Sequence, residues 1–125
     1  NEEQLDYIFR LKTGALIEAA FMAGGIIAGC DENVTKLLEE TGYNIGFAFQ
    51  IKDDILDVTS TQEVLGKPVL SDERNNKTTY VTLYGMEKAE KDTADMSVKA
   101  LETLKTIGHN EYLEDLITML IHRDR

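Results

Sequence analysis

The stretch GFAFQIKDDILD (residues 46–57) says most about the fold, because it joins an apolar run to three carboxylates within five positions. Neighbouring carboxylates repel: at about 5–6 Å, in an effective dielectric near 20, the cost is roughly 3 kcal/mol per pair. Asp53, Asp54 and Asp57 therefore either lie in water, where the cost is small, or surround a cation.

Helical periodicity places these acids on one side of a helix. At about 100° per residue, Gly42, Gly46, Gln50, Asp53 and Asp57 fall close to one line, with Asp54 beside it. The opposite half is apolar and predicts a core-facing surface: Ile45, Phe47, Ala48, Ile51, Ile55, Leu56 and Val58. Because glycines continue the acid line, we interpret this face as a metal-binding mouth with an open cavity beyond it.

Carboxylates at this spacing offer only oxygen ligands, which suit Mg²⁺ or a similar hard cation. Mg²⁺ keeps several waters and usually bridges a few carboxylates to substrate phosphates. The alternative is a charged helix end on the surface, and the spacing alone leaves both interpretations open.

The rest of the chain predicts an all-α protein, since apolar residues recur three and four positions apart and Pro68 is the single proline. We predict a polar loop over residues 59–76 and a kink or close helix approach at residues 12–14, around Gly14. Helices are predicted over residues 2–12, 15–28, 34–58, 78–84, 86–107 and 111–122.

Composition limits the classes of partner. The chain has 125 residues, the size of one domain, and a net charge of −10, which disfavours nucleic acid and anionic membranes as partners. The most apolar window, residues 15–30, is interrupted by Glu18 and is too short for a membrane span. A single cysteine, Cys30, excludes an internal disulfide and fits a cytoplasmic location. The start at Asn1 rather than Met suggests a fragment or a processed product.

Three lysines are candidates for binding diphosphate oxygens in this acidic chain. Lys12 lies with Thr13 at the predicted helix interruption, Lys67 lies in LGKP, and Lys77 lies in NNKTTY. Each lysine alone is more often solvated. The order of all these elements along the chain is far more specific than any one of them.

Together these motifs resemble the C-terminal half of the trans-type polyprenyl diphosphate synthases, and among them the farnesyl diphosphate synthases most. The resemblance covers essentially the whole chain. It is carried by KTGALIEAA (residues 12–20), FAFQIKDDILD (47–57), LGKP (65–68), KTTYVTLYG (77–85) and the ending LIHRDR (120–125).

The resemblance implies that residues 1–125 form the C-terminal portion of an isoprenoid-synthase helical bundle around a central cavity. It implies an Mg²⁺-dependent enzyme of the dimethylallyltranstransferase or geranyltranstransferase type. Such an enzyme joins an allylic diphosphate to isopentenyl diphosphate, here giving a short-chain product such as farnesyl diphosphate. A full-length homodimer is also implied.

The same resemblance assigns roles to single residues. Asp53, Asp54 and Asp57 would bind Mg²⁺. Lys12, Lys67 and Lys77 would contact the allylic diphosphate. Thr13 and Gln50 would turn oxygens toward the reacting carbon, and Arg123 would close over the isopentenyl site.

One departure from the family pattern bears on activity. The first Asp-rich motif and the upstream basic motifs of the family, which belong to its N-terminal half, do not occur in this sequence. We therefore predict that these 125 residues alone are inactive. Two alternatives stay open: a non-catalytic partner subunit of a prenyl synthase, and a helical domain without a ligand.

Overall fold

The computed structural model describes residues 2–9, 13–65, 79–108 and 110–123. In these ranges the backbone forms helices and short connections, with no strand, so the all-α prediction is confirmed. The helices are α1 (Glu2–Phe9), α2 (Ala15–Ile27), α3 (Glu32–Leu65), α4 (Tyr80–Tyr84), α5 (Met86–Ile107) and α6 (Glu111–His122). No helix in this described part is both long and apolar enough to cross a membrane.

The predicted bounds of α5 and α6 are confirmed, whereas α3 is longer than predicted. It continues to Leu65, through the first residues of the predicted loop. The reason is that polar residues do not stop a helix by themselves; the Thr59 hydroxyl donates to the Ile55 carbonyl at 3.0 Å within the helical pattern. The helix-breaking Gly66 and Pro68 come later. The rest of the predicted loop, from Gly66 on, lies outside the described residues.

Helix ends follow ordinary capping chemistry. The Asp31 carboxylate accepts from Val34 N–H at 2.9 Å, and the Asn110 side chain accepts from Leu113 N–H at 3.0 Å. Gly29, with a φ of +82°, ends α2, and Gly85, with a φ of +87°, separates α4 from α5. These positive φ values explain why glycine stands at both points.

The core lies around α3, which packs most extensively on α5 and α2. Ile45, Ala48, Ile51 and Ile55 are buried along its predicted apolar face. The facing side of α5 carries small buried residues, and these let the two helices approach closely: Ala89, Thr93, Ser97 and Ala100.

The glycine line of α3 is a helix contact and not the wall of a cavity. A Cβ atom on Gly46 would lie 2.7 Å from the Gly14 Cα, and one on Gly42 would lie 2.8 Å from the Glu18 Cα. The expectation of open space beyond the acids on this line is therefore wrong, because the segment at the start of α2 fills it. The predicted close approach at Gly14 is confirmed, and Thr13 and Gly14 form a π-helical turn there.

Candidate metal centre

The carboxylate of Asp53, on α3, meets a side chain that comes from 70 positions later. Arg123 follows directly after α6, and its Nη2 donates to Asp53 Oδ1. The Arg123 guanidinium also lies over the Phe49 ring, 4.3 Å from its centroid, and Nε donates to the Leu120 carbonyl at 3.1 Å. These three contacts fix the position of the Arg123 guanidinium next to Asp53.

Asp54, the next residue, faces a different segment. Its Oδ2 accepts from the backbone N–H of Tyr80 at 2.9 Å, across 26 positions of sequence. Tyr80 is the first residue of α4, and Thr79 caps that helix through reciprocal hydrogen bonds with Thr82. The start of α4 is therefore attached to the acid-bearing part of α3.

The remaining predicted site residues within the described ranges are Gln50 and Asp57 on α3 and Thr13 just before α2. Gln50 is half-buried one turn before the acids, and Asp57 is exposed one turn after Asp53. Thr13 adjoins the contact between Gly14 and Gly46, one turn before Gln50. Lys12, Lys67 and Lys77 lie outside the described residues.

The aspartate oxygens fit an Mg²⁺ site in which the protein supplies some of the ligands, and substrate phosphates and water supply the others. Within the described ranges, no group of three Asp, Glu, His or Cys side chains is arranged to hold a metal ion. The three aspartates therefore do not form a preformed protein cage. Mg²⁺ rarely requires one, since it is usually held by one or two carboxylates together with substrate phosphates and water. Asp53 and Asp54 supply hard oxygen donors of that kind.

A polar cluster beside Asp54 was missed by the sequence reasoning. The Tyr80 hydroxyl donates to Asp92 Oδ2 on α5 at 2.5 Å, and Lys88 Nζ contacts the same oxygen at 2.5 Å. Partial burial disfavours the Asp92 charge, but the hydrogen bonds from Lys88 and Tyr80 outweigh it and lower the pKa of Asp92. The pairing of Lys88 with Asp92 could have been found from its four-residue spacing; the contact with Tyr80 could not.

A separate apolar cavity of about 590 Å³ lies between the end of α2, the start of α3, the end of α5 and the start of α6. Phe21, Leu38, Leu104 and Leu113 are among its lining residues, and none of the described predicted site residues is. Leu38 precedes Asp53 by fifteen positions on α3, which is about 22 Å of helix. This cavity is therefore distinct from the acid-bearing end.

Comparison with known proteins assigns the family. The sequence pattern of the family described as "Polyprenyl synthetase" matches residues 1–119. The chain belongs to the polyprenyl synthetase family. The resemblance inferred from the motifs is thereby confirmed.

Several curated relatives match over most of this chain. A farnesyl diphosphate synthase of Micrococcus luteus is 41% identical over 98% of this chain and 42% of its own length. A geranylgeranyl diphosphate synthase of Sulfolobus acidocaldarius is 43% identical over 80% of this chain and 30% of its own length. A geranylfarnesyl diphosphate synthase of Aeropyrum pernix is 38% identical over 96% of this chain and 42% of its own length. The chain thus spans less than half the length of these relatives.

Proposed function

We propose that residues 1–125 are the C-terminal half of a prenyltransferase of the dimethylallyltranstransferase or geranyltranstransferase type. The enzyme condenses an allylic diphosphate with isopentenyl diphosphate. The observation that carries the proposal is the placement of Asp53 and Asp54 on α3, each held by a group from a distant part of the chain. Family membership and the names of the relatives support it.

Asp53, Asp54 and Asp57 are the proposed ligands of Mg²⁺, directly or through water. When bound, the metal acts as a Lewis acid toward the diphosphate oxygens of the allylic substrate. Since the barrier is the separation of a carbocation from a highly charged leaving group, groups fixed around that leaving group contribute most.

The cationic residues of this chain take the diphosphate charge. Lys12, Lys67 and Lys77 are proposed to bind its oxygens, and Arg123 to exchange Asp53 for a substrate oxygen as the substrates bind. Arg123 suits this exchange because its planar guanidinium can hold either a carboxylate or a phosphate oxygen.

Gln50 and Thr13 are proposed to face the reacting carbon. Their oxygens are neutral dipoles, which stabilise a carbocation without carrying the charge of a carboxylate. Their placement on either side of the contact between α2 and α3 supports this role.

We propose farnesyl diphosphate as the product on the likeness of FQIKDDILD to short-chain enzymes. The relatives' names span farnesyl, geranylgeranyl and geranylfarnesyl at comparable identities, so those names do not separate the chain lengths. We further propose a cytoplasmic homodimer for the complete protein and no turnover by these 125 residues alone.

The test is a turnover assay on the protein expressed from its complete reading frame. Geranyl diphosphate and labelled isopentenyl diphosphate are supplied with and without Mg²⁺, and the chain length of the product is measured. Metal-dependent formation of farnesyl diphosphate is expected. A longer product overturns only the farnesyl assignment. No product despite metal-dependent pyrophosphate binding indicates the non-catalytic subunit, and no binding of pyrophosphate overturns the proposal entirely.

A further inference from the structure

We propose that Tyr80 is a positioning residue for the metal centre: its backbone N–H orients the Asp54 carboxylate, and its hydroxyl ties that backbone to Asp92 and Lys88 on α5. This inference rests on the proposed function, in which Asp54 is a ligand of Mg²⁺. It gives a role to Tyr80, which lies in the motif KTTYVTLYG without an assigned role, and to Lys88 and Asp92, which lie in none of the motifs.

Tyr80 connects two elements through opposite ends of one residue. Its amide lies 2.9 Å from Asp54 Oδ2 on α3, and its hydroxyl lies 2.5 Å from Asp92 Oδ2 on α5. Tyr80 thus links the Asp54 carboxylate on α3 to Asp92 on α5 through two hydrogen bonds of one residue. Carboxylates that bind metals are commonly held by such outer hydrogen bonds, which fix the direction of the remaining oxygen.

The ring of Tyr80 is packed well enough to transmit this restraint. Tyr80 is 7% exposed, and its ring meets Phe47 edge-on at 6.1 Å and Tyr84 at 4.6 Å between centroids. Packing alone would hold the ring in the core. The hydroxyl adds a specific direction, because a hydrogen bond to a carboxylate is stronger than one between neutral groups.

Lys88 fixes the far end of this connection. Its Nζ lies 2.5 Å from the same Asp92 oxygen that accepts from Tyr80, and 5.3 Å from the centroid of the Tyr84 ring. Lys88 and Asp92 are one turn apart on α5, so the pair is local to one rigid helix. The restraint on Asp54 thus ends on a helix that packs against α3 along its length.

A second lysine–aspartate pair on α5 supplies the matched control. Lys91 Nζ lies 2.6 Å from Asp95 Oδ2, again one turn apart, and both side chains are largely exposed. This pair has the same chemistry as Lys88 and Asp92 but no hydrogen bond to Tyr80. Tyr112, 76% exposed on α6, is the control for loss of a phenol hydroxyl.

The experiment compares Tyr80→Phe, Asp92→Asn and the double variant with Tyr112→Phe and Asp95→Asn in the complete protein. Binding of Mn²⁺ in the presence of pyrophosphate is titrated by electron paramagnetic resonance, without turnover. Thermal unfolding is measured in parallel. In the metal-free protein, the ¹⁵N shift of the Tyr80 amide reports the contact with Asp54 directly.

We expect the two single variants to weaken Mn²⁺ binding by roughly threefold to tenfold, the low end of the effect of outer hydrogen-bond partners. The double variant should lose no more than either single one, because both break the same connection. The Tyr80 amide shift should change in Asp92→Asn and stay constant in Asp95→Asn.

Two failures are separable. If the unaltered protein binds no Mn²⁺ with pyrophosphate, the proposed function falls, and with it the metal role of Tyr80. If the unaltered protein binds the metal and Tyr80→Phe matches Tyr112→Phe in affinity, only the positioning role is overturned, even if the unfolding temperature drops.

Discussion

The two ends of the line from Gly42 to Asp57 on α3 have the same spacing and opposite environments. At the glycine end, the backbone of α3 lies against the backbone around Gly14 and Glu18, with no room for a Cβ atom. At the acid end, Asp53 and Asp54 meet Arg123 and Tyr80, groups that come from other helices.

Glycines beside acids on one helix face can serve two different purposes. Absence of a side chain either leaves space for a ligand or lets another backbone fill that space. At Gly42 and Gly46 another backbone, that of Glu18 and Gly14, fills the space. Because Gly46 packs directly on Gly14, it also sets how near Thr13, the residue before Gly14, lies to Gln50, one turn after Gly46.

The strongest way to break this arrangement is Gly46→Leu. A side chain there has to displace the Gly14 backbone, whose Cα would lie 2.7 Å from the new Cβ. We expect the complete protein to lose more than about 3 kcal/mol of stability, at or beyond the upper range for overpacking. Urea unfolding followed by circular dichroism measures this.

Gly24→Ala is the matched control, since nothing lies within 4 Å of a Cβ placed at Gly24. It should leave stability unchanged or raise it by up to about 1 kcal/mol, because alanine favours a helix over glycine. Equal behaviour of the two variants would show that the contact between α2 and α3 does not exclude side chains.

At the acid end, Asp53→Asn should change activity and leave the fold intact. Loss of one proposed Mg²⁺ ligand removes stabilisation of the leaving diphosphate, and we expect turnover to fall by about 100-fold or more. Steady-state assays at saturating substrate and metal measure it. The exposed Asp115, changed to Asn, is the control; a comparable loss there, or none in Asp53→Asn, contradicts the metal role.

Much of the fold was predictable because its signals are local. The caps at Asp31 and Asn110 and the helix ends at Gly85 and Gly108 depend on residues within one turn. The buried face of α3 also followed from its period. The overlong α3 shows the limit, since polar residues after Val58 favour a loop and still permit a helix.

The candidate site was predictable only as far as its motifs. Asp53 and Asp54 were singled out from their spacing on one helix. Their contacts were not: Tyr80 had no assigned role, and Arg123 was named from the family resemblance as a residue over the isopentenyl site, not as a partner of Asp53. Tyr80 and Arg123 lie 26 and 70 positions away, and no local pattern encodes such contacts. The glycine line was misinterpreted for the same reason: whether α2 fills that space is a tertiary fact.

The link between α4 and α5 should depend on pH through Asp92. The pKa of Asp92 is lowered from 3.8 in the folded protein. Its ionised carboxylate therefore contributes fully to the free energy of unfolding above pH 3.8, and this contribution is lost as the pH falls through the lower folded pKa. Asp92→Asn should cost about 1.5 kcal/mol of unfolding free energy at pH 7, the lower end of the range for a hydrogen bond to a charged group. Urea unfolding curves should show no such cost at a pH below the folded pKa of Asp92, where the carboxyl is protonated in both states. The same cost at low pH and at pH 7 would show that the ionised carboxylate is not the source of the stabilisation.

The smallest and most informative effect is expected from Arg123→Gln. In the metal-free state the guanidinium sits on the oxygen that Mg²⁺ is proposed to take, so removing it should favour the metal. Both partners are partly exposed, which limits the gain in Mg²⁺ affinity to about threefold. The Michaelis constant for isopentenyl diphosphate should rise instead, because the proposed phosphate contact is lost. Titration calorimetry with Mg²⁺ and initial-rate kinetics separate the two. Tighter Mg²⁺ binding together with a higher Michaelis constant supports an arginine that exchanges a carboxylate for a phosphate. Weaker Mg²⁺ binding together with a higher Michaelis constant would instead make Arg123 a fixed support for Asp53.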